Sequence, residues 1–457
     1  MVNNKSSTPR ILDPSNPLCG EPRITVGIMD RQTEVAGRLE GNYHIEGVGL
    51  LSGKFVAKAT AGVIVLTDDH NIELIRSPIL HFTAVQSSSF HIVNVTIGID
   101  FHWERKEEQV FQGNLVLRLR DDGTISVINE INLEDYLRSV VSSEMSSAAP
   151  KQFLRAHAIL SRSWILAALD RKKRTSQEPV IGTATDDELI RWYDREDHDV
   201  YDVCADDHCQ RYQGVTKIIS GQAGDAVMET SGTVITSGDT ICDARYSKAC
   251  GGLTENYQTA WSDKQIAYLA SISDSPAHHR PIRTEEEATR WMLSAPVAYC
   301  NTEDARILER ILPDFDRDTK DFFRWTVSYR REELEQIVNQ KSGFDFGTLK
   351  AMIPLQRGPS GRISKLRIVG SERSMIVGKE LEIRRWLSRS HLYSSAFVVE
   401  TCSNANGDVE EFTFHGAGWG HGVGLCQIGA AVMAIQGFSA EEILLHYFPS
   451  TELKNLY

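Results

Sequence analysis

Between Arg23 and about Ile128 apolar residues come in short β-branched runs: Ile24-Thr25-Val26-Gly27-Ile28, Gly62-Val63-Ile64-Val65-Leu66, Val93 to Ile99, and Leu115-Val116-Leu117-Arg118-Leu119. Turn-forming stretches such as Thr67-Asp68-Asp69, Ser87-Ser88-Ser89 and Asp121-Asp122-Gly123 separate them, which predicts a β-rich domain over residues 23–128. The period then changes. Leu133, Tyr136, Leu137, Val140 and Val141 share one helical stripe, with Asn132 as N-cap and Asp135 three residues further on. Glu144 continues the stripe, since eleven steps of about 100° return it to within about 20° of Leu133. A carboxyl on that buried face is partly desolvated, which favours the protonated form that a general acid needs. Periodicity equally allows the helix to stop at Ser142 or Ser143, with Glu144 facing outward.

A second helix is predicted from about Pro150, a good first-turn residue. It runs through Phe153, Leu154, Ala158, Ser161, Trp164, Ile165 and Ala168 to the basic end Arg171-Lys172-Lys173-Arg174, which suits the helix dipole. Residues 175–197 are polar and read as a loop, and residues 214–260 as Gly/Ser/Thr-rich chain with short strands. A stretch from about 262 to 345 reads as mixed and mostly helical. Strands return at Ile363 to Val369 and Phe397 to Thr401, and a Gly-rich turn, residues 416–424, precedes an Ala-rich helix from Ile428 to Gln436. The expected architecture is α+β: a flexible segment over residues 1–22, the β-rich N-terminal domain, then a mixed α/β core over residues 129–457 with long loops and an inserted helical segment. No internal repeat is evident.

The 457 residues carry 49 Lys+Arg and 62 Asp+Glu, a net charge of −13, with 41% apolar residues. This is the composition of globular domains. An acidic chain whose longest basic block is residues 171–174 lacks the clustered cations of a nucleic-acid binder. No apolar stretch reaches the length of a membrane span, and residues 1–21 show no apolar export signal. Eight cysteines are too sparse for a disulfide scaffold.

His198, Cys204, His208 and Cys209 place four zinc-type donors within twelve residues, enough for one tetrahedral ion if neighbours His208 and Cys209 both face it. A Cys204–Cys209 disulfide or free thiols are the alternatives. Residues Phe101-His102-Trp103-Glu104-Arg105 read as core strand more readily than as an aromatic platform for sugar, and His70, His81 and His91 as ordinary polar residues.

Residues Glu134 to Met145, then Arg155-Ala156-His157-Ala158 and Ser161-Arg162-Ser163-Trp164, resemble the stage II sporulation protein D family, also called the amidase-enhancer family. Its pattern there is E-Y-L-x-x-V-V-x-x-E-M followed by K-A-Q-A-V-x-A-R-[ST]-Y. Gly418 to Ala430 is similar to the family's G-W-G-H-G-V-G-M-S-Q-Y-G-A, and Glu442 to Pro449 to its E-I-L-x-H-Y-Y-P. The resemblance covers residues 129–457 and leaves the β-rich region outside.

The resemblance implies a lytic transglycosylase of the bacterial cell envelope, periplasmic or at the cell surface. Such an enzyme cuts MurNAc–GlcNAc bonds in peptidoglycan glycan strands without hydrolysis and leaves 1,6-anhydro products. Glu144 matches the single catalytic Glu, first acid and then base for the muramic C6 hydroxyl; no second acid stands beside it on its stripe, as a two-carboxylate glycosidase needs. Arg162 matches a family Arg, and Arg155 stands where Lys is usual; both are expected at substrate, with Trp419, His421 and Gln427 of the Gly-rich turn. Residues 416–424 hold five glycines that would let backbone approach a ligand, or would only shape a tight turn. Ala244 to Glu255 resembles F-Y-x-S-x-S-G-G-x-T-E, which implies that Tyr246, Ser247, Thr254 and Glu255 line the same cleft. Cys250 replaces a Ser there, and a Cys250 nucleophile finds no supporting His/Asn signature. Members with D-V-C-x-x-x-H-C-Q-x-Y, similar to Asp202 through Tyr212, carry zinc, which implies a structural zinc on His198, Cys204, His208 and Cys209. No organic cofactor is implied. The implied partners are glycan strands and a cell-wall amidase. The family's other role, a non-catalytic wall-binding enhancer of an N-acetylmuramoyl-L-alanine amidase, is the competing expectation.

Overall fold

The computed structural model describes residues 20–99, 104–174, 182–193, 198–317 and 321–457, the side chains of residues 173, 174 and 315 excepted. The aromatic segment at 101–103 and most of the N-terminal segment lie outside the described residues. The chain forms two compact units, one of residues 1–172, 195–234 and 454–457 and the other of residues 173–194 and 235–453, as far as they are described. This division differs from a boundary at residue 129. The reason is local, because the strand Ile125–Asn132 runs straight into the first helix. The chain around residue 203 also returns to the N-terminal sheet.

Among the described residues of the first unit ten strands precede any helix: β1 (Arg23–Gln32), β2 (Glu34–Ile45), β3 (Gly49–Thr60), β4 (Val63–Asp68), β5 (Glu73–Ser77), β6 (Ile79–Ala84), β7 (Ser89–Ile97), β8 (Arg105–Gln112), β9 (Asn114–Leu119) and β10 (Ile125–Asn132). They form one sheet in the order β1-β10-β9-β6-β2-β3-β4-β5, with β7 pairing β2 and β8. The short strand Val203–Cys204 adds to β1 in parallel, Val26 opposite Val203. Inward-facing Leu39, Phe55, Phe82, Phe90 and Phe111 are buried on the sheet's inner face.

Helix α1 (Leu133–Glu144) buries all five residues of its predicted stripe, and Glu144 ends it on the same face. Asn132 occupies the N-cap position without a side-chain capping bond. Instead the Glu134 N–H donates to Glu21 Oε1 at 2.6 Å, so the predicted cap chemistry is supplied from the chain before β1. Helix α2 (Lys151–Arg174) and α3 (Gln222–Glu229) complete the described helices of this unit. No helix among the described residues is long and apolar enough to cross a membrane.

The second unit holds a sheet in the order Thr183–Ala184, Glu188–Ile190, Ser374–Gly378, Ile363–Gly370, Leu349–Arg357, and a second sheet of Arg324–Arg330, Val409–Ala417 and Phe397–Ser403. Trp325, Leu334, Ile368, Trp386, Phe412 and Phe414 share its main core. Two expectations change here. The polar stretch 175–197 contributes two short strands. The segment 262–345 carries helices Glu285–Met292, Ala305–Ile311 and Arg331–Ser342, but also Arg324–Arg330, which pairs along its length with Val409–Ala417. That strand ties the segment into the unit's own sheet, so it is not a separable insertion. Its alternating Arg324-Trp325-Thr326-Val327 pattern is too short to outweigh the helical periodicity beside it.

Candidate functional site

An aromatic ladder carries the sheet's geometry to α1. Phe90 stacks on Phe111 at 5.4 Å between centroids, Phe111 on Tyr212 at 5.8 Å, and Tyr212 on Tyr136 of α1 at 5.1 Å. Tyr212 belongs to the segment that leaves the His/Cys loop, and polar contacts clamp that segment to the helices. Tyr136 Oη donates to Gln210 Oε1 at 3.1 Å, Gln213 N–H to Ser139 Oγ at 3.2 Å, and Tyr212 Oη to Asn129 Oδ1. Burial pushes both phenols well above the ordinary tyrosine range, so they stay protonated donors. The same segment presents the Arg211 N–H to Glu144 Oε1 at 3.0 Å. Glu144 is 7% exposed. A carboxyl at the end of a helix, buried and accepting a backbone N–H, is held in a fixed orientation.

The His/Cys loop brings its four donors together, every pair of ligand atoms within 4.8 Å. His198 Nε2 lies 3.3 Å from Cys209 Sγ, His208 Nδ1 lies 3.5 Å from Cys209 Sγ, and 3.8 Å separate it from Cys204 Sγ. Zinc bonded to sulfur at about 2.3 Å and to nitrogen at about 2.05 Å makes a tetrahedral edge of about 3.6 Å, so the donor set fits that ion. His208 and Cys209, adjacent in sequence, do face one point. The Cys204 N–H donates to Cys209 Sγ at 3.4 Å, the kind of outer bond that orients a thiolate ligand. Lys172 Nζ fixes the loop's entry by donating to the carbonyls of His198 and Tyr201, both at 2.8 Å.

The two arginines differ in their surroundings. Arg162, expected at substrate, is fully buried: its Nε and Nη2 form a fork on Glu134 at 2.8 and 2.6 Å, and Nη1 donates to the Thr233 carbonyl at 3.0 Å. Burial alone would raise the Glu134 carboxyl, but the Arg162 fork with Tyr457 and Gly232 holds it below the usual range. Arg162 is thus an internal tie for α1, α2 and the chain after α3. Arg155 turns to Glu229 at 3.8 Å, a carboxylate that Lys151 holds more closely at 2.6 Å.

Tyr246, Ser247, Thr254, Glu255, Trp419, His421 and Gln427 lie in the second unit. Tyr246 and Ser247 pair in parallel with Leu425 and Cys426, which places the 244–255 segment against the Gly-rich turn as the motifs suggest. Ser247 Oγ is buried with no hydrogen-bond partner among the described residues, and Gln427 is buried at the start of its helix. Trp419 stacks on Tyr393 at 4.3 Å and Phe322 at 4.9 Å. His421 accepts the Val423 N–H at 3.0 Å and edges onto Trp261 at 4.8 Å. Burial first, then Arg245, Arg362 and Arg384, keep it well below the ordinary histidine range and therefore neutral.

Thr254 and Glu255 do not line a surface. Both are fully buried. Thr254 Oγ1 accepts the Ile272 N–H, while Glu255 accepts from Asn256 N, Thr259 Oγ1, Ser360 N and Ser360 Oγ at 2.6–3.2 Å. Trp419, Gly420 and His421 of the Gly-rich turn are partly exposed, but three of its glycines are packed tightly against protein: a Cβ on Gly418 would meet the Ala249 carbonyl at 2.7 Å, on Gly422 the Arg362 guanidinium at 2.3 Å, and on Gly424 the Arg245 carbonyl at 2.1 Å. Those glycines admit protein groups, the tight-turn alternative. Sequence reasoning passed over Arg362, Arg245 and Trp261, which build this turn. Arg245 lies 4.2 Å from the Trp261 ring centre, a contact without a sequence motif.

Residues 121–237 match the profile of the stage II sporulation protein family, and residues 255–424 that of a domain of unknown function, DUF8618. The first match spans α1, α2 and the His/Cys loop. The chain is homologous to stage II sporulation protein D of Bacillus amyloliquefaciens, 24% identical over 71% of this chain and 75% of that protein, and to its counterpart in Bacillus subtilis, also 24% identical over 71% of this chain and 75% of that one. The amidase enhancer of Bacillus subtilis is 23% identical over 50% of this chain and 32% of its own length.

Proposed function

We propose that this protein is a peptidoglycan lytic transglycosylase of the cell envelope with Glu144 as its acid/base. The observation that supports this reading best is the carboxyl of Glu144, buried at the end of α1 and oriented by the Arg211 N–H at 3.0 Å. A glycosidic oxygen needs a proton as its bond to the muramic carbon breaks. The same carboxylate then accepts the proton of the C6 hydroxyl as the anhydro ring closes, so one carboxyl serves both steps because the nucleophile is part of the substrate. Relatives named for sporulation and for amidase enhancement support a role at the cell wall and an amidase as partner.

The His/Cys loop holds zinc in this reading, all four positions filled, and the ion keeps the loop rigid. The chain's own residues do the rest: Gln210, Tyr212 and Gln213 grip α1, and Arg211 aims the carboxyl. Ser247, Tyr246 and Trp419 are proposed as groups that meet the sugar.

Glu144→Gln keeps the size and removes the proton donor. On defined glycan strands free of stem peptides, release of 1,6-anhydro fragments read by mass spectrometry is expected to fall at least about a hundredfold. Unchanged release refutes the mechanism. Absence of release by the wild type, with strand binding and stimulation of an amidase, replaces it with the enhancer role. Cys209→Ser is expected to lose the loop's zinc and weaken release while Glu144 stays intact.

A further inference from the structure

Three cysteines and an aspartate far apart in sequence meet inside the second unit. Cys250, Asp274, Cys300 and Cys426 are each at most 2% exposed, and every pair of their ligand atoms lies within 4.8 Å. Motif reading made nothing of them beyond noting Cys250 in a serine's place; Cys426, too, stands where the family pattern quoted above has serine. We propose that they form a second metal site, a closed Cys3Asp centre for zinc that is independent of the His/Cys loop.

The geometry supports an ion more than four packed neutral groups. Cys250 Sγ lies 3.7 Å from Cys300 Sγ. Two thiolates on one tetrahedral zinc stand about 3.8 Å apart, the edge set by bonds of about 2.3 Å. Backbone N–H groups already point at the sulfurs: Cys250 N donates to Cys426 Sγ at 3.2 Å, and Gly252 N to Cys250 Sγ at 3.4 Å. Such N–H···S bonds are the outer shell that steadies a thiolate ligand. Cys426 is also the N-cap residue of the nine-residue helix Gln427–Ile435, where the helix dipole favours negative charge.

Asp274 is the decisive member. A buried thiol can pass as a small apolar side chain, but a buried carboxyl cannot. It has no ion pair among the described residues. Its oxygens are oriented by Tyr447 Oη and by the Cys300 N–H, the latter at 3.0 Å. A Cβ on Gly429 would stand 2.4 Å from Asp274 Oδ1, so the helix presents glycine where the carboxylate needs room. Three thiolates and a carboxylate around a divalent ion carry excess negative charge. Two guanidinium groups adjoin them: Arg362 donates to the Cys250 carbonyl at 3.1 Å and Arg324 to the Gly251 carbonyl at 3.0 Å. Soft sulfur donors in a four-coordinate set select zinc over hard oxygen-seeking cations, and a site with every position filled is structural.

The ion would staple the 250–252 turn, the chain at 274 and 300, and the start of the Gln427–Ile435 helix. It would thereby hold the chain just after Tyr246 and Ser247 and just after the turn that carries Trp419. The proposal does not depend on the transglycosylase reading.

The test uses the whole chain, purified reduced and without chelator. Zinc measured by elemental analysis is expected at about two ions per chain. The double variant His198→Ala/Cys204→Ser, with the first loop disabled, is expected to keep about one, and adding Cys300→Ser or Asp274→Asn to remove it. Should those variants fold poorly, the wild type still decides. Native alkylation mapped by mass spectrometry is expected to spare Cys250, Cys300 and Cys426 until a chelator and mild denaturant are added together, and cobalt substitution of the double variant to give a sulfur-to-metal charge-transfer band. A folded double variant that binds neither zinc nor cobalt overturns the proposal, as does a Cys250–Cys300 disulfide in the wild type.

Discussion

The Arg162–Glu134 fork offers the sharpest separation between a structural and a substrate role for a motif arginine. Arg162 is 0% exposed and Glu134 15%, and the fork is backed by donations from Arg162 to two main-chain carbonyls. Replacing Glu134 by Ala removes one charge and leaves the other buried, a change that costs about 3–5 kcal/mol. At roughly 2–4 °C per kcal/mol for a unit of this size, melting of the first unit is expected to fall by about 10 °C. Replacing both, Arg162→Met with Glu134→Leu, removes the uncompensated charge and is expected to restore most of the loss. Peptide-resolved hydrogen exchange reads α1 and α2 separately from the second unit, so the assay is exchange protection in those helices together with thermal unfolding. If Glu134→Ala leaves protection and melting unchanged and instead weakens glycan-strand binding, the fork is no tie and Arg162 belongs to the substrate.

Gly422→Ala is expected to lower stability by about 2 kcal/mol or more, because φ is +74° and the new Cβ would sit 2.3 Å from the buried Arg362 guanidinium; denaturant unfolding checks it. His391 supplies a pH dependence. Burial first, then Arg384, Lys341 and Arg385, push its imidazole down to about 4 from 6.5. The unfolded chain therefore binds a proton that the folded one refuses between those values. Stability is expected to fall as pH drops from about 6.5 to 4, by up to about 3 kcal/mol. His391→Gln should flatten that slope in urea titrations of the second unit, and an unchanged slope would assign it to other groups.

Local rules made much of this protein readable from its sequence. A 3.6-residue period needs only its own residues, so α1, its buried stripe and the position of Glu144 on it follow from Leu133 to Val141. The four donors of the His/Cys loop lie within twelve residues, a span short enough for loop closure alone to bring them together. Short β-branched runs between turn signals located β1, β4, β7 and β9. Partners separated by long stretches of chain needed the folded structure. Whether Arg162 faces sugar or Glu134 depends on how α1 and α2 cross; whether glycines 418–424 receive a ligand or the Arg362 and Arg245 groups depends on chain brought in from 245 and 362. The same holds for Cys250, Asp274, Cys300 and Cys426, whose convergence spans 176 residues. Sequence fixes which side chains can carry charge, metal or a proton. Burial and distance decide which of them are occupied by the protein itself, because a polar group taken out of water takes the nearest partner the fold provides.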